Sequence, residues 1–247
     1  MCESCDCLNR WALVSNAECI RQAFPEEAIR VWRVSMDLIP EDMRHLYAIL
    51  SPDERRRAET MMDDPARRAF VVGRAALREI LASCLDAPPQ SFGFEYSKTG
   101  KPRLLCGNGQ ERLRFNVSHS GGLVLVAVSE QYDVGVDVER VVLRKGMDRI
   151  IQRLFSITDQ AWLDNSSPEE RLRRFLRMWC RREAVLKSIG KGARYTTESI
   201  DWSAVPVAPK SFSWTDLASG AQHRMVLSDV HPGREYVAAV AGATACA

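Results

Sequence analysis

The sequence contains no run of apolar residues long enough to cross a bilayer. Its longest apolar stretches, 123–128 and 237–241, are far shorter than the roughly 20 residues that a transmembrane helix needs. The first residues also lack the basic start and the apolar run of a secretory signal peptide, because cysteines and acidic residues stand there instead. We therefore expect a soluble, cytoplasmic protein without a membrane partner.

A strong excess of charge of one sign is also missing. The 34 lysines and arginines nearly balance the 32 aspartates and glutamates, so the formal net charge is only +2. This balance argues against a bulk nucleic-acid binder, which typically carries a strongly basic face. The arginines do form local clusters at 55–57, 67–68 and 171–182, and each cluster could be a solvated helix face.

Cysteines are present, but the spacing of a zinc site is not. Cys2, Cys5 and Cys7 lie close together, and no second pair of cysteines or histidines follows at ligand spacing. In a cytoplasmic protein the eight cysteines are expected to be reduced thiols. A chain of 247 residues can bury a sizeable core without disulfides or a structural metal.

Periodicity and turn signals predict alternating helices and strands. The predicted strands are 31–36, 123–128, 134–138, 225–230 and 236–240. The predicted helices begin at Pro52, near Pro65, near residues 150 and 159, and at Pro168, and the last of them ends before Gly190. Residues 1–28 carry no motif and are interpreted as an N-terminal extension.

Two of these helices share a faint sequence similarity. The segment Arg74-Ala75-Ala76-Leu77 resembles Arg182-Glu183-Ala184-Val185, and each lies on a helix that a proline opens. The repeat suggests two related α+β halves, 29–131 and 132–247. Because Ala75 stands where Glu183 stands, only one half would keep the acid, which predicts one active site per chain.

Two carboxylates stand side by side on a predicted strand. Alternate strand residues face the same side, so Asp137 and Glu139 point together while Val136 and Val138 face a core. Neighbouring carboxylates repel each other unless a cation lies between them, and such oxygen ligands suit Mg²⁺. A polar strand face exposed to water is the alternative.

Glu183 and Lys187 lie four residues apart on the helix that begins at Pro168, so they share one face. The pair could be an ordinary surface ion pair. Apolar neighbours such as Trp179 and Leu186 favour instead a partly buried helix, where a charged group is costly and more often has a function.

The segment Ser118-His119-Ser120 precedes a predicted strand and is followed by two glycines. Glycine lets the backbone approach a phosphate closely, and hydroxyl and imidazole donors suit phosphate oxygens. Ser118 and His119 are adjacent on an extended chain and point apart, which argues against a nucleophile and base pair. A surface histidine without a role is the alternative.

Three segments together resemble a known family. They read Phe-Asn-Val-Ser-His-Ser at 115–120, Gly-Val-Asp-Val-Glu at 135–139 and Trp-x-x-Arg-Glu-Ala-x-x-Lys-x-x-Gly-Lys-Gly at 179–192. With Gly-Lys-Pro at 100–102 and Ser-Pro-Asp-Glu-Arg-Arg-Arg at 51–57, they resemble the larger, surfactin-synthetase-activating class of 4′-phosphopantetheinyl transferases. The resemblance covers about 31–236 and leaves the first 28 residues unexplained.

The resemblance implies an enzyme that moves 4′-phosphopantetheine from coenzyme A to a serine of an apo acyl or peptidyl carrier protein. Adenosine 3′,5′-bisphosphate would be released. The implied fold is a pseudo-dimer of two α+β halves with coenzyme A in the cleft between them. We expect a monomer without a nucleic-acid partner. Carrier proteins are implied to be acidic near the modified serine, which makes the arginine-rich segment 171–182 a candidate docking surface.

The resemblance also implies roles for individual residues. The implied Mg²⁺ ligands are Asp137, Glu139 and Glu183. Glu183 would also be the base that takes the proton of the carrier serine, and Lys187 would offset phosphate charge. The residues implied in coenzyme A binding are Lys187, Ser118, His119, Lys101, Arg57 and Arg68, the last two at the 3′-phosphate.

Two residues depart from the family pattern. Arg182 stands where the family often has lysine, and arginine cannot transfer a proton at neutral pH. Ala69 stands where some members have a threonine near the 3′-phosphate, which weakens the assignment of Arg68.

Two other functions stay open: a non-catalytic relative that binds coenzyme A or a carrier, and a basic nucleic-acid-binding module without a recognisable motif.

Overall fold

The computed structural model describes residues 17–20, 28–38, 40–105, 113–143, 145–192, 200–204, 210–216 and 219–245. The strands are β1 (Ala17–Ile20), β2 (Arg30–Ser35), β3 (Phe94–Tyr96), β4 (Pro102–Leu104), β5 (Arg114–Ser120), β6 (Leu123–Ser129), β7 (Asp133–Arg140), β8 (Lys210–Thr215), β9 (Gln222–Val230) and β10 (Tyr236–Ala245). The helices are α1 (Pro40–Ile49), α2 (Pro52–Glu59), α3 (Asp64–Leu85), α4 (Met147–Leu154), α5 (Ile157–Asp164) and α6 (Pro168–Ser188).

The helix boundaries follow from local capping signals. Ser51 begins α2 and Ser167 begins α6, each with a capping box in which the serine hydroxyl and an acid three residues later satisfy free backbone amides. A proline follows each serine at the first helical position. Beyond the end of α6, Gly190 adopts a positive φ of 70°, which glycine tolerates. The predicted starts and the predicted stop are confirmed.

The two main sheets are antiparallel and contain four strands each. The first has the order β1-β2-β6-β5 and the second the order β7-β10-β9-β8. Strands β3 and β4 form a separate hairpin. The predicted hairpin of β9 and β10 is confirmed, with Ala238 opposite Val230. The mixed α+β class predicted from the sequence is confirmed as well.

Alternating side chains of the strands build three cores and four layers. In β6, Val124 and Val126 pack against the helices α1 to α3, while Leu123 and Leu125 face the other sheet. The core between the sheets combines residues of β2 and β6 with residues of β7, β9 and β10. The third core lies between the second sheet and the helices α4 to α6. The layers therefore run helix, sheet, sheet, helix.

Part of the N-terminal extension belongs to the first sheet. Strand β1 pairs antiparallel with β2, with Glu18 opposite Arg33, and their side chains form an ion pair at 3.4 Å. No strand was predicted here. Cys2, Cys5 and Cys7 lie outside the described residues. No helix of the described part of the chain is both long and apolar enough to cross a membrane.

Candidate functional site

A single glycine lets helix α6 approach strand β7. A Cβ atom at Gly135 would lie 2.1 Å from the carbonyl oxygen of Ala184 and 2.4 Å from the amide nitrogen of Ser188. Any larger residue would therefore collide with the helix backbone. This close contact brings the acidic face of β7 against the face of α6 that carries Glu183 and Lys187.

The carboxylates of Asp137 and Glu139 lie on the face of β7 that α6 covers. Val136 and Val138 point the other way, into the core between the sheets, so the predicted alternation is confirmed. Asp137 is only 6% exposed and Glu139 only 8%. The alternative of a polar strand face exposed to water is therefore wrong.

Strand β5 supplies polar partners to β7. The hydroxyl of Ser118 donates to Asp137 Oδ1 at 3.1 Å, and the hydroxyl of Ser120 donates to Glu139 Oε2 at 3.0 Å. Asn116 Oδ1 accepts from the backbone amide of Val136 at 2.9 Å. These alternate residues of β5 join the edge strands of the two sheets. No individual role was predicted for Asn116 or Ser120, although the period of two along β5 was a usable signal.

Lys187 turns inward to β7. Its Nζ lies 2.6 Å from Asp137 Oδ1 and donates to the carbonyl of Val136 at 3.0 Å and to Ser118 Oγ at 3.1 Å. The ammonium group thus uses its three donors on groups of the site. The alternative of a surface ion pair between Glu183 and Lys187 is wrong, because each side chain has a different partner.

Glu183 is buried beside the arginine that precedes it. Arg182 is fully buried, and its NH1 lies 2.6 Å from Glu183 Oε1. Burial raises the pKa of Glu183 above its usual value; Arg182 opposes that rise, and the carboxylate of Asp137 adds to it. A raised pKa brings a carboxylate closer to the range in which it can exchange protons near neutral pH.

The donor set of the site suits a hard cation. Asp137 Oδ2 is buried and has no hydrogen-bond partner, and such an oxygen is costly unless a cation or a donor satisfies it. Among the described residues, no group of three or more His, Cys, Asp or Glu side chains is arranged to hold a metal. Lys187 and Arg182 instead form ion pairs with Asp137 and Glu183.

His119 lies next to this network on β5 and is exposed. Partial burial lowers its pKa, and the neighbouring ammonium of Lys187 lowers it further. A lowered pKa favours the neutral imidazole, which offers one N–H donor to an anion.

Lys101 connects the loop between β3 and β4 to the second sheet. Its Nζ donates to the carbonyl of Val134 at 3.1 Å and to the carbonyl of Ser188 at 2.9 Å. Burial lowers its pKa from 10.5 to about 8. Thr99 reinforces this connection by donating to the carbonyl of Gly190 at 2.8 Å. Lys101 thus joins a carbonyl of β7 to a carbonyl at the C-terminal end of α6.

The two arginines predicted for the 3′-phosphate differ in their surroundings. Arg57 is exposed on α2, and its guanidinium lies 5.1 Å from the ring centre of Phe70. Arg68 is half-buried and donates to the carbonyls of Met36 and Leu38. No described contact joins either arginine to the carboxylates, so the structure does not bring them into the acidic network.

The arginines of α6 are engaged within the protein. Arg181 is buried and forms a two-pronged ion pair with Asp229 of β9, at 2.7 and 2.8 Å. Arg171 contacts Asp148 and Asp164. The other arginines of this segment also have partners within the protein: Arg173 contacts Glu169, Arg174 contacts Trp162, Arg177 contacts Asp229 and Arg182 contacts Glu183. The prediction that segment 171–182 forms a docking surface for an acidic carrier stays a prediction.

Comparison with known proteins identifies the family. The model of the 4′-phosphopantetheinyl transferase superfamily matches residues 133–241, and the model of the 4′-phosphopantetheinyl transferase N-terminal region matches residues 34–131. The chain is 32% identical over 183 residues to 4′-phosphopantetheinyl transferase HetI of a Nostoc species, covering 74% of this chain and 77% of that protein.

Two further relatives agree with this match. The chain is 31% identical to 4′-phosphopantetheinyl transferase AcpT of Salmonella typhimurium, over 58% of this chain and 68% of that protein. It is 29% identical to L-aminoadipate-semialdehyde dehydrogenase-phosphopantetheinyl transferase of Xenopus laevis, over 64% of this chain and 55% of that protein. The chain therefore belongs to the 4′-phosphopantetheinyl transferase family.

Proposed function

We propose that this chain transfers the 4′-phosphopantetheine group of coenzyme A to a serine of an apo acyl or peptidyl carrier protein, at the site formed by β5, β7 and α6. One observation carries the proposal. Three segments that are distant in sequence contribute Ser118, Asp137 and Lys187 to a single network with contacts of 2.6 to 3.1 Å. An acid-rich, partly desolvated network of this kind suits phosphoryl-type transfer, which depends on positioning and on electrostatic stabilisation.

We propose that Mg²⁺ binds at this site and assign its ligands to Asp137, Glu139 and Glu183. The partnerless Asp137 Oδ2 supports this assignment, because a buried carboxylate oxygen gains most from a cation. When bound, Mg²⁺ would neutralise charge on the diphosphate of coenzyme A. Ser118 and Ser120 would hold the two strand carboxylates in place as their hydrogen-bond donors.

Glu183 is the base in this proposal. A serine hydroxyl is a weak nucleophile until a base accepts its proton, and the pKa of Glu183 is raised by burial. The serine oxygen would attack the phosphorus that bears the pantetheine group, while its proton passes to Glu183 directly or through one water. The bond from that phosphorus to the adenosine bisphosphate portion would break, releasing adenosine 3′,5′-bisphosphate.

Cationic and neutral donors around the acids would bind the phosphates. Lys187 would offset the charge that develops as the phosphate bond breaks, and His119 would donate to a phosphate oxygen. Ser118 would also contact a phosphate, and its single hydroxyl proton would then have to leave Asp137 Oδ1. Lys101 would lie on the nucleotide side, and Arg57 with Arg68 would bind the 3′-phosphate. The exposed guanidinium of Arg57 is available for such a contact, whereas Arg68 would first have to release the two carbonyls that it binds.

The chain divides in this proposal into an extension at 1–28 and two halves at 29–131 and 132–247. The halves form a pseudo-dimer with coenzyme A in the cleft between them. The two stacked sheets and their outer helices support this division. We further propose that the protein acts as a monomer in the cytoplasm, in the class of enzymes that activate surfactin synthetase.

The test is incubation of the protein with coenzyme A, Mg²⁺ and a panel of apo carrier proteins, followed by intact-mass measurement of each carrier. We expect the mass of phosphopantetheine on at least one carrier, and none with the Asp137→Ala variant. A folded protein that binds coenzyme A and modifies no carrier would favour a non-catalytic relative. Tight, strongly salt-dependent binding of DNA instead would favour a nucleic-acid-binding module.

A further inference from the structure

A concave pocket lies between helix α6 and the hairpin of β9 and β10. Its volume is about 350 Å³, which is within the size range of small-molecule sites. Three arginines, Arg173, Arg177 and Arg234, line it together with one acid, Asp229. Three guanidinium groups beside one carboxylate leave an excess of positive charge, and like charges held close together repel each other unless an anion lies between them.

The charge of Asp229 is already matched inside the protein. Asp229 is only 5% exposed, and the buried Arg181 binds both of its carboxylate oxygens, at 2.7 and 2.8 Å. Arg177 approaches the same carboxylate only to 3.5 Å, as a second cation on one anion. No other acid of the described residues forms an ion pair with Arg177. Its guanidinium, which has five N–H donors, can therefore bind a further acceptor.

The other two arginines are positioned by the hairpin. Both terminal nitrogens of Arg173 donate to the backbone carbonyl of Arg234, at 3.2 and 3.3 Å. The acid that pairs with Arg173, Glu169, lies 4.0 Å away and is 84% exposed, so water screens this pair. Arg234 is exposed and forms no ion pair within the described part of the chain, because the adjacent Glu235 pairs with Arg140 instead. Both guanidinium groups can thus bind an anion without breaking a buried ion pair.

This pocket is separate from the acidic site. None of the residues that we assign to coenzyme A or Mg²⁺ lines it. Arg173 precedes Glu183 by ten residues on α6, which is roughly 15 Å along a helix. Arg171 pairs with Asp148 of α4 and is not part of the lining. A ligand in the pocket would therefore leave the acids accessible to coenzyme A.

We infer that this pocket, defined by Arg173, Arg177, Arg234 and Asp229 and named here the α6–hairpin pocket, binds the phosphate group of a small soluble molecule. The inference goes beyond the proposed function and does not depend on it. A planar guanidinium matches two phosphate oxygens at once, and a dianion would balance most of the excess charge. The half-buried ring of Tyr236 also lines the pocket, so an apolar group attached to the phosphate would gain a contact. A concave pocket suits a soluble molecule better than a membrane surface.

Three double variants test the pocket. Arg177→Gln with Arg234→Gln removes two cations, and Arg177→Lys with Arg234→Lys keeps the charge but removes the planar donors. The matched control, Arg149→Gln with Arg153→Gln, removes the same charge from exposed arginines of α4. The buried ion pair at the base of the pocket stays intact in every variant. We therefore expect circular dichroism and the melting temperature without ligand to stay unchanged.

Isothermal titration calorimetry measures the binding of inorganic phosphate and of phenyl phosphate. Each titration is done with and without saturating coenzyme A, which would occupy the phosphate contacts of the acidic site. With coenzyme A present, we expect saturable binding to the wild type and to the control, with an affinity that falls as salt rises. The Kd should be about tenfold weaker or more in the glutamine variant and intermediate in the lysine variant. The Kd for coenzyme A should be the same in all four proteins.

Three outcomes would overturn the inference. The first is no saturable phosphate binding to the wild type, or equal binding to the wild type and the glutamine variant. The second is binding of the wild type to phosphatidic acid vesicles but not to the soluble phosphates, which would place the phosphate on a lipid. The third is a lower kcat/KM for a carrier in the glutamine variant without phosphate binding to the wild type, which would assign the arginines to an acidic carrier. A wild-type protein that binds phosphate here and modifies no carrier rejects only the proposed function, so the two failures are distinguishable.

Discussion

Replacement of Gly135 by alanine should damage stability and catalysis together, because this residue sets the distance between α6 and β7. The added Cβ would lie 2.1 Å from the carbonyl oxygen of Ala184 and 2.4 Å from the amide nitrogen of Ser188. Non-bonded heavy atoms need roughly 3.5 Å, so the helix must move on the order of 1 Å. Both contacting atoms belong to the helix backbone, and no side-chain rotation can relieve the collision.

The expected losses of stability and of turnover have two causes: overpacking of the core, and misplacement of the side chains that helix α6 carries. Overpacking a well-packed core costs roughly 1–3 kcal/mol, and each kcal/mol lowers the melting temperature by about 2–4 °C in a protein of this size. Displacement of α6 moves Glu183 and Lys187 away from Asp137. A misplacement of about 1 Å can cost about 100-fold in rate, so turnover should fall more than the loss of stability alone would suggest.

Gly73 offers a matched control in helix α3. A Cβ there would lie 3.5 Å from a methyl carbon of Val117 and 3.8 Å from one of Val124, which are ordinary contacts. Alanine also favours a helix interior over glycine by about 0.5–1 kcal/mol. Gly73→Ala should therefore melt slightly higher and keep its turnover. Thermal unfolding and carrier modification are measured on both variants. The reasoning is refuted if Gly135→Ala matches the wild type, or if both variants lose stability equally.

Four further predictions concern the proposed chemistry. Glu183→Gln should lower turnover by about 10²–10⁴-fold and respond only partly to added Mg²⁺; full recovery in a Mg²⁺ titration would leave Glu183 as a ligand alone. Burial raises the pKa of Glu183, Arg182 opposes that rise, and the ionised carboxylate is the base, so the acidic limb of the pH profile of kcat/KM should depend on Arg182. Arg182→Met should move that limb to still higher pH, and an unchanged limb would exclude Glu183 as the titrating group. Exhaustive EDTA treatment should abolish carrier modification and Mg²⁺ should restore it, whereas full activity in EDTA contradicts the metal assignment. Arg57→Ala should raise the KM for coenzyme A by roughly 10- to 150-fold, as expected for a charge-assisted hydrogen bond of about 1.5–3 kcal/mol, and a preference over dephospho-coenzyme A that stays intact would exclude Arg57 as the 3′-phosphate contact.

Local signals were sufficient to predict β7 and α6, two of the three elements that carry the site, whereas β5 was not predicted as a strand. The alternation around Asp137 identified β7 and the buried side of its valines, because a period of two has one physical meaning in a strand. Pro168 identified the start of α6. Strand β1 was not predicted, because a strand of four residues is too short for a periodic signal.

Partners that are distant in sequence were beyond prediction from local patterns. Arg181 belongs to the same arginine-rich run as Arg173, yet Arg181 is buried because Asp229, 48 residues away, lies opposite it on β9. The sequence spacing of Glu183 and Lys187 indicated a pair, but the register between α6 and β7 gave Lys187 a nearer carboxylate on the strand. Only the packing of the helix on the sheet, which depends on Gly135, decides between such partners.

The charge balance of the network explains why acids and bases are interleaved at this place. Asp137, Glu139 and Glu183 contribute three carboxylates, while Lys187 and Arg182 contribute two cations. Among these five side chains the carboxylates outnumber the cations by one, in a region where burial makes charge costly. A divalent cation would convert this excess into one positive charge, which is the sign needed to attract and hold a diphosphate. Removal of a single carboxylate should therefore weaken both metal binding and coenzyme A binding, whereas removal of Lys187 should weaken coenzyme A binding and leave the requirement for Mg²⁺ in place. Titrations of Mg²⁺ and of coenzyme A on Asp137→Asn and Lys187→Ala would separate these effects, and identical profiles for the two variants would contradict the argument.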